Sequence, residues 1–599
     1  MAVKYTDGAC LILAGAGSGK TRVLTSKIIY LIKEKHVDPY NLLAITFTNK
    51  AANEMKDRVK LSESQLPWMM TFHAFCARIL RIEGEHIGLK KNFVIYDEDD
   101  SLTAIKHTIK EIGNISFKPQ SIKRAISEAK NENINEFEYP QYARGHFQDV
   151  VANIYLLYQK KLRENNAVDF DDLLMLTNKL FSLTSPTSPT PLMKYSQRFR
   201  YLLIDEYQDT NTSQYLLSKK LAAVHGNICV VGDASQSIYS WRGADYHNLV
   251  NFKEDFPKTK VFNLEENFRS TQVILNTANA VIHENKTHPV LHLFTKKVGG
   301  DKIQIFACDD EKEEAASVIS LAQKRQKLIE KLNAENDRKI AILYRTNAQS
   351  RVIEETLLKS GVTYMLFGGV KFYERREIKD LISYLRLIDN PDDEISRLRI
   401  EKIGKGRMKK FDIFRLSLIS PISSIPPQPP TLQVLDAVIA ATDYLSFFDP
   451  EDEDDFERLE NIKELKTVAQ QFPNLTEFLE NIALLEGTRT NKKISLFDTP
   501  PNSPASLSSQ NPLLLMTLHA AKGLEFDTVF MVGLEEGLFP HQRSLLDKYQ
   551  MEEERRLCYV GITRAKRKLY MTYAKSRAFL GSYSMNEKSR FLETILRNI

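Results

Sequence analysis

The chain has 599 residues, 43% hydrophobic and 27% charged, and its 82 Lys and Arg against 77 Asp and Glu give a net charge of +5. At roughly 150 residues per domain this length predicts about four domains, and the apolar content excludes wholesale disorder. Mild basicity is compatible with a polyanionic partner without proving one. No apolar run reaches the ~18 residues that a membrane-spanning helix needs. The first residues, MAVKYTDGAC, lack an apolar run behind a basic start, so no secretory signal is expected. Five cysteines (Cys10, Cys76, Cys229, Cys308 and Cys558) stand far apart, none at zinc or iron–sulfur spacing. So few thiols suit a reducing compartment, and the expected location is the cytoplasm.

Short apolar runs alternate with helical patterns over two stretches. The first gives candidate strands Cys10–Ala14, Leu42–Phe47, Tyr201–Asp205, Ile228–Gly232 and Val261–Leu264. The second gives Ile303–Ala307, Ile340–Tyr344, Leu513–Leu518, Thr528–Val532 and Leu569–Tyr573. Most are apolar on both faces, as strands of a covered parallel sheet are, so two α/β domains are predicted. Two long tracts interrupt them, about 76–195 and about 366–511, both reading as mainly helical. The first ends in Ser185–Pro191; the second carries Pro421–Pro430, an acidic run Glu451–Asp455 and a loop Pro500–Pro512. The proline tracts read as flexible connections and the acidic run as a solvated helix start.

The strongest local signal is Ala14-Gly15-Ala16-Gly17-Ser18-Gly19-Lys20-Thr21, placed directly after a strand and before a helix. A glycine-rich turn at a helix N-terminus lets backbone N–H groups cradle phosphate. Lys20, on an exposed loop, would reach the β/γ-phosphates, and the Thr21 hydroxyl would hold Mg²⁺. Ala14 stands where the strict pattern has its first glycine. The apolar strand ending in Asp205-Glu206 supplies a second Mg²⁺ ligand, Asp205. Glu206 there can orient or deprotonate a water. A third strand runs into Asp233-Ala-Ser-Gln236-Ser-Ile-Tyr239-Ser-Trp241-Arg242, where Gln236 can sense a γ-phosphate. Tyr239 and Trp241 suit stacking on nucleic-acid bases.

Ten segments in order resemble the motifs of superfamily 1 DNA helicases of the UvrD, Rep and PcrA type. They are AGAGSGKT (14–21), AITFTNKAANEM (44–55), TFHAFC (71–76), VDFDDLL (168–174), LLIDEYQDTNTSQY (202–215), VGDASQSIYSWRGA (231–244), LEENFRS (264–270), ILYRTNAQSR (342–351), MTLHAAKGLEFDTVFMVG (516–533) and EEERRLCYVGITRAK (552–566). Within that family, DEYQDTNTSQY is most similar to the Rep branch. The resemblance implies an α/β fold of two RecA-like P-loop motor domains with parallel sheets, each interrupted by a mainly helical insertion. The expected boundaries are 1–75 and 196–265 for the first motor domain, with 76–195 inserted. For the second they are 266–365 and 511–599, with 366–510 inserted. It implies ATP and Mg²⁺ in the cleft between the motor domains, and 3′→5′ movement along single-stranded DNA. Unwinding at single-strand/duplex junctions, in replication restart or repair, is implied too, with a monomer or a DNA-induced dimer as the active species.

Residue by residue, the resemblance implies phosphate contact by Lys20, Mg²⁺ at Thr21 and Asp205, and a catalytic base at Glu206. It implies a sensor at Gln236 and transition-state arginines at Arg269 and Arg564. Arg22 and Phe268 match positions flanking adenine, and Glu525 a ribose-contacting acid. Phe47, Thr48, Asn49, His73, Tyr239, Trp241, Arg242 and His519 match DNA-binding positions. The chain begins at or just past the segment that carries an adenine-reading glutamine in relatives, and no C-terminal nuclease domain is expected. Where relatives have an Asn-x-Pro turn and a Gly-Ile-Gly element, this chain reads Arg399-Ile-Glu-Lys-Ile-Gly-Lys-Gly-Arg407. That difference motivates one alternative, a translocase that strips proteins from single strands and unwinds poorly alone. A non-catalytic DNA-binding scaffold with a relic ATP site is the other.

Overall fold

A computed structural model describes the chain except residues 60–65, 185–188, 332–338, 419–428, 488–511, 580–581 and 599. Most of Pro421–Pro430 and Pro500–Pro512, and part of Ser185–Pro191, lie outside the described residues. The chain forms two compact units, Met1–Val298 and Gly299–Ile599.

In the first unit, β1 (Cys10–Ala14) leads into α1 (Lys20–Lys33), β2 (Leu42–Thr46) into α2 (Asn49–Val59), and β3 (Trp68–Thr71) into α3 (Phe72–Glu83). A short parallel pair, β4 (Val94–Tyr96) and β5 (Ala167–Asp169), brackets α4 (Glu98–Ile112), α5 (Pro119–Asn131) and α6 (His146–Glu164); α7 (Phe170–Leu180) follows. Then come β6 (Tyr201–Ile204), β7 (Ile228–Gly232) and β8 (Lys260–Leu264). The sheet runs β3-β2-β6-β7-β1-β8, parallel throughout. Its central strands are apolar on both sides because helices cover both faces. One face packs Leu11, Leu43, Ile45, Leu202 and Val230 against Phe72 and Phe75; the other packs Ile12, Ala44 and Leu203 against Leu24 and Ile28. The helical insertion has its own core around Ile105, Ile126, Val151 and Tyr155.

The second unit repeats the plan. Its strands are β9 (Gln304–Cys308), β10 (Ile340–Tyr344), β11 (Tyr364–Leu366), β12 (Leu513–Thr517), β13 (Phe526–Met531) and β14 (Ala565–Ala574). They pair in parallel in the order β11-β12-β10-β13-β14-β9. Between β11 and β12 lie helices including Arg376–Asp389, Thr431–Thr442 and Glu453–Gln470, packed around Leu381, Leu435 and Leu465.

All ten candidate strands form. Four strands described above fall outside those ten: β3 and β11, each at a sheet edge and only four and three residues long, and the three-residue pair β4 and β5. The acidic run does start a helix, with Asp452 accepting from the Asp455 N–H. It is less solvated than expected: Asp455 is buried, bonded to Arg458 and to the Asp449 N–H. The helix N-terminus and these donors offset the burial of that acid.

Candidate functional site

Parallel strands point their C-terminal ends the same way, and loops there converge where neighbours are adjacent. β6, β7 and β1 are adjacent, so the loops after Ile204, Gly232 and Ala14 lie side by side. The turn after β1 needs glycine at Gly17 (φ +68°) and Gly19 (φ +91°), both left-handed. Ser18 Oγ donates to the Gly15 carbonyl at 2.8 Å, and α1 begins at Lys20.

Lys20 is not on an exposed loop. Its side chain is only 10% exposed, and Nζ lies 3.0 Å from Glu206 Oε2. Burial acts to lower its pKa, but Glu206, Asp233 and Asp205 together hold it above the ordinary lysine value. Thr21 Oγ1 donates to Asp205 Oδ2 at 3.1 Å. Burial, and then the charge of Glu206, pushes Asp205 up to about 7. Burial likewise raises Asp233. Gln236 Nε2 donates to Asp233 Oδ2 at 2.6 Å. The structure thus assembles Lys20, Thr21, Asp205, Glu206 and Gln236 from three loops up to 216 positions apart. A hydroxyl and a carboxylate are hard oxygen donors that fit Mg²⁺.

A fourth segment closes on the glycine turn. Asn267 Nδ2 donates to the Ala16 carbonyl at 2.5 Å, and the Phe268 N–H donates to the Gly17 carbonyl at 3.0 Å. Asn267 Oδ1 accepts from the N–H groups of Arg269 and Ser270 at 2.8 and 2.7 Å. Arg269 is thereby fixed beside the turn: a Cβ on Gly17 would stand 2.9 Å from the Arg269 Cβ. Phe268 is 62% exposed, and Arg22 is exposed on the first turn of α1. This segment lies within the first compact unit, Met1–Val298.

The DNA-assigned residues of this unit occupy the same sheet edge. Phe47, Thr48 and Asn49 follow β2, and His73 opens α3 after β3. Phe47 packs edge-on against Phe72, and the Thr48 hydroxyl accepts from the Ala51 N–H. Burial lowers the pKa of His73, favouring its neutral form. The loop after β7 serves both groups: Gln236 faces Asp233, and a tight turn then presents Tyr239, Trp241 and Arg242. Trp241 is 43% exposed, with the Arg242 guanidinium 4.5 Å from its ring centroid. Such a surface can stack on flat bases while the cation approaches phosphate.

The remaining assignments lie in the second unit. Arg564 is fully buried and donates to the carbonyls of Val560 (3.0 Å) and Leu524 (3.2 Å). Glu525 pairs with Lys566 at 2.8 Å, and His519 sits in the turn after β12. Sequence reasoning passed over Gln208, Asn267 and Phe170. The first two are amides inside motif runs, where one-dimensional reading sees only the acids and arginines. Phe170 is 48% exposed at the start of α7, its ring 5.9 Å from that of His73. An exposed aromatic beside an assigned DNA residue was the available signal.

The model of the UvrD/REP helicase N-terminal domain matches residues 1–257, and that of the UvrD-like helicase C-terminal domain matches 262–423 and 430–576. The chain belongs to the UvrD/Rep helicase family. This member is 44% identical to the ATP-dependent DNA helicase PcrA of Bacillus subtilis, over 99% of its own length and 84% of that protein. It is 42% identical to proteins of the same name from Staphylococcus epidermidis and Staphylococcus aureus, over 99% of its length and 85% of theirs. The Rep leaning of DEYQDTNTSQY is therefore a likeness of one motif within this UvrD/Rep chain. Among the described residues, no helix of this family member is long and apolar enough to cross a membrane, and no cluster of His, Cys, Asp and Glu could hold a metal on its own.

Proposed function

We propose that this chain is an ATP-dependent DNA helicase that moves 3′→5′ along single-stranded DNA and opens duplex at junctions, in replication restart or repair. The observation that carries this reading is the loop after β7. In one run of residues it joins the carboxylate cluster around Lys20 through Asp233 and Gln236, and presents Trp241 and Arg242 to solvent beside the half-buried Tyr239.

In this reading the glycine turn and Lys20 bind the triphosphate of ATP. Thr21 and Asp205 would hold Mg²⁺, which when bound would neutralise charge on the phosphate oxygens. Glu206 accepts a proton from the attacking water, and Gln236 registers the γ-phosphate. The Arg269 guanidinium, on a backbone that Asn267 holds beside the turn, stabilises charge on the transferring phosphoryl group. Stacking on Tyr239 and Trp241 uses the faces of bases and no base edges, so any sequence can be followed. Lys20 pairs with Glu206; a phosphate that drew the ammonium to itself would leave the carboxylate free to take the proton. The roles of Arg564, Glu525 and His519, and the boundaries of the four domains given above, rest on the resemblance.

Steady-state ATP turnover with and without single-stranded DNA tests the motor, and duplexes with a 3′ or a 5′ tail test direction. Strong stimulation with unwinding of the 3′-tailed duplex is the expected result. Stimulated turnover without strand separation favours the translocase, which the divergent Arg399–Arg407 segment motivates. Equal, low turnover with and without DNA overturns the reading.

A further inference from the structure

The run Asp205-Glu-Tyr-Gln-Asp209 leaves its strand through a sharp turn. Glu206 takes φ +50°, which L side chains rarely adopt, so its surroundings must hold it there. The following turn, Tyr207–Asp209, folds Gln208 back beneath it, and Gln208 is fully buried. Its Nε2 donates to Glu206 Oε2 at 2.7 Å and to Asp209 Oδ2 at 3.1 Å. Its Oε1 accepts from the Asp233 N–H at 3.0 Å, and its carbonyl accepts from Ser237 Oγ at 3.2 Å. The opposite amide orientation would aim an oxygen at two carboxylates and an NH₂ at an N–H, so the partners fix the one described.

The fit also needs Gly232: a Cβ there would lie 2.7 Å from Gln208 Oε1 and 3.3 Å from its backbone nitrogen. Beyond Gly232, Asp233 holds Gln236, and the chain passes through buried Ser237 and Ile238 to Tyr239. One amide therefore touches both the carboxylate that would take the proton and the first peptide of the loop that would touch DNA.

We propose that Gln208 is a positioning residue coupling Glu206 to the loop that carries Gln236 and the Tyr239–Arg242 aromatics, so that engagement of DNA sets the carboxylate for hydrolysis. This rests on the functional reading above. Two variants of the full chain separate it from simple filling of a polar hole. Gln208→Met keeps length and bulk and loses every amide bond. Gln208→Glu keeps an acceptor for the Asp233 N–H and loses the donor to Glu206.

The measurements are kcat and KM for ATP with and without an oligo-dT strand, beside wild type, with circular dichroism to establish folding. Both variants are expected to lower DNA-stimulated kcat by about tenfold or more, with KM for ATP within about twofold. The ratio of stimulated to unstimulated rate is expected to fall at least about fivefold. A folded variant that keeps the wild-type ratio, or changes KM alone, overturns the proposal. If Gln208→Met does not fold, Gln208→Glu decides on the same criteria. Wild type that DNA does not stimulate overturns the functional reading itself; stimulated wild type with unaffected variants overturns only the role of Gln208.

Discussion

Lys20 shows how far a residue's surroundings alter what its removal does. A lysine on an exposed loop would be lost from the fold at little cost. Here its ammonium stands among Asp205, Glu206 and Asp233, and without it three acids face one another. Lys20→Ala is expected to cut ATP turnover by about 100-fold or more and also to lower the unfolding midpoint. That midpoint loss should be smaller at pH 6 than at pH 8, because a protonated acid no longer repels its neighbours; thermal melts at both values check it. Gly17 is constrained twice, by φ +68° and by Asn267 Nδ2, which would lie 2.6 Å from an added Cβ. Gly17→Ala should therefore push the Asn267–Arg269 segment off the turn and raise KM for ATP, which titration with a fluorescent nucleotide would show as weaker binding. His541 gives a pH prediction. Burial, and then the charge of Arg345, lowers its pKa to about 4, below the ordinary 6.5. Between about pH 6.5 and 4 the unfolded chain binds a proton that the folded chain refuses, so stability falls with acidification, by at most about 1.4 kcal/mol per pH unit. His541→Gln should flatten that part of the stability profile in urea titrations; an unchanged slope would remove His541 as its source.

At the scale of elements, a buried polar cluster ties helices of the first insertion together. Lys130, near the end of α5, has no exposed surface and lies 2.6 Å from Asp169 and 2.8 Å from Asp172 at the start of α7. Burial opposes its charge, yet the two aspartates outweigh burial and raise its pKa. The same stretch of α5 grips the segment after β6: Ser213 donates to the Lys130 carbonyl at 2.8 Å, and Asn211 Nδ2 to Asn131 Oδ1 at 2.5 Å. Lys130→Met leaves the aspartates without their cation and should cost about 3–5 kcal/mol, measured by chemical denaturation. The motif VDFDDLL signals that these acids matter, but not that a lysine 39 positions earlier is their partner. The helix starts were easier to read, because Asp169 and Asn211 cap their own helices through bonds three residues long.

For the whole molecule, the first unit carries a testable division of labour along one sheet edge. Nucleotide-assigned residues follow β6, β7 and β1, and DNA-assigned residues follow β3, β2 and β7, so β7 is shared. Trp241→Ala should weaken binding of single-stranded DNA by about 1–3 kcal/mol. ATP turnover in its absence should stay near wild type, and fluorescence anisotropy with parallel rate measurements checks both. Binding should also weaken steeply with salt, as phosphate contacts release counterions.

The sequence by itself determined the ten apolar strands, the alternation that makes them α/β, the glycine turn and the acids at strand ends. Each of these is a local pattern, set by backbone geometry or by burial on two faces. Only the tertiary structure decided which loops meet. Strand order puts β1 between β7 and β8, and so brings Asn267 to the Ala16 carbonyl across 251 residues. It also decided that Lys20 is enclosed and that Gln208 joins two loops. Edge strands β3 and β11 likewise exist because a neighbour offers them hydrogen bonds. Such facts depend on partners distant in sequence, and a hydrogen bond across a fold leaves no periodicity in the chain that makes it.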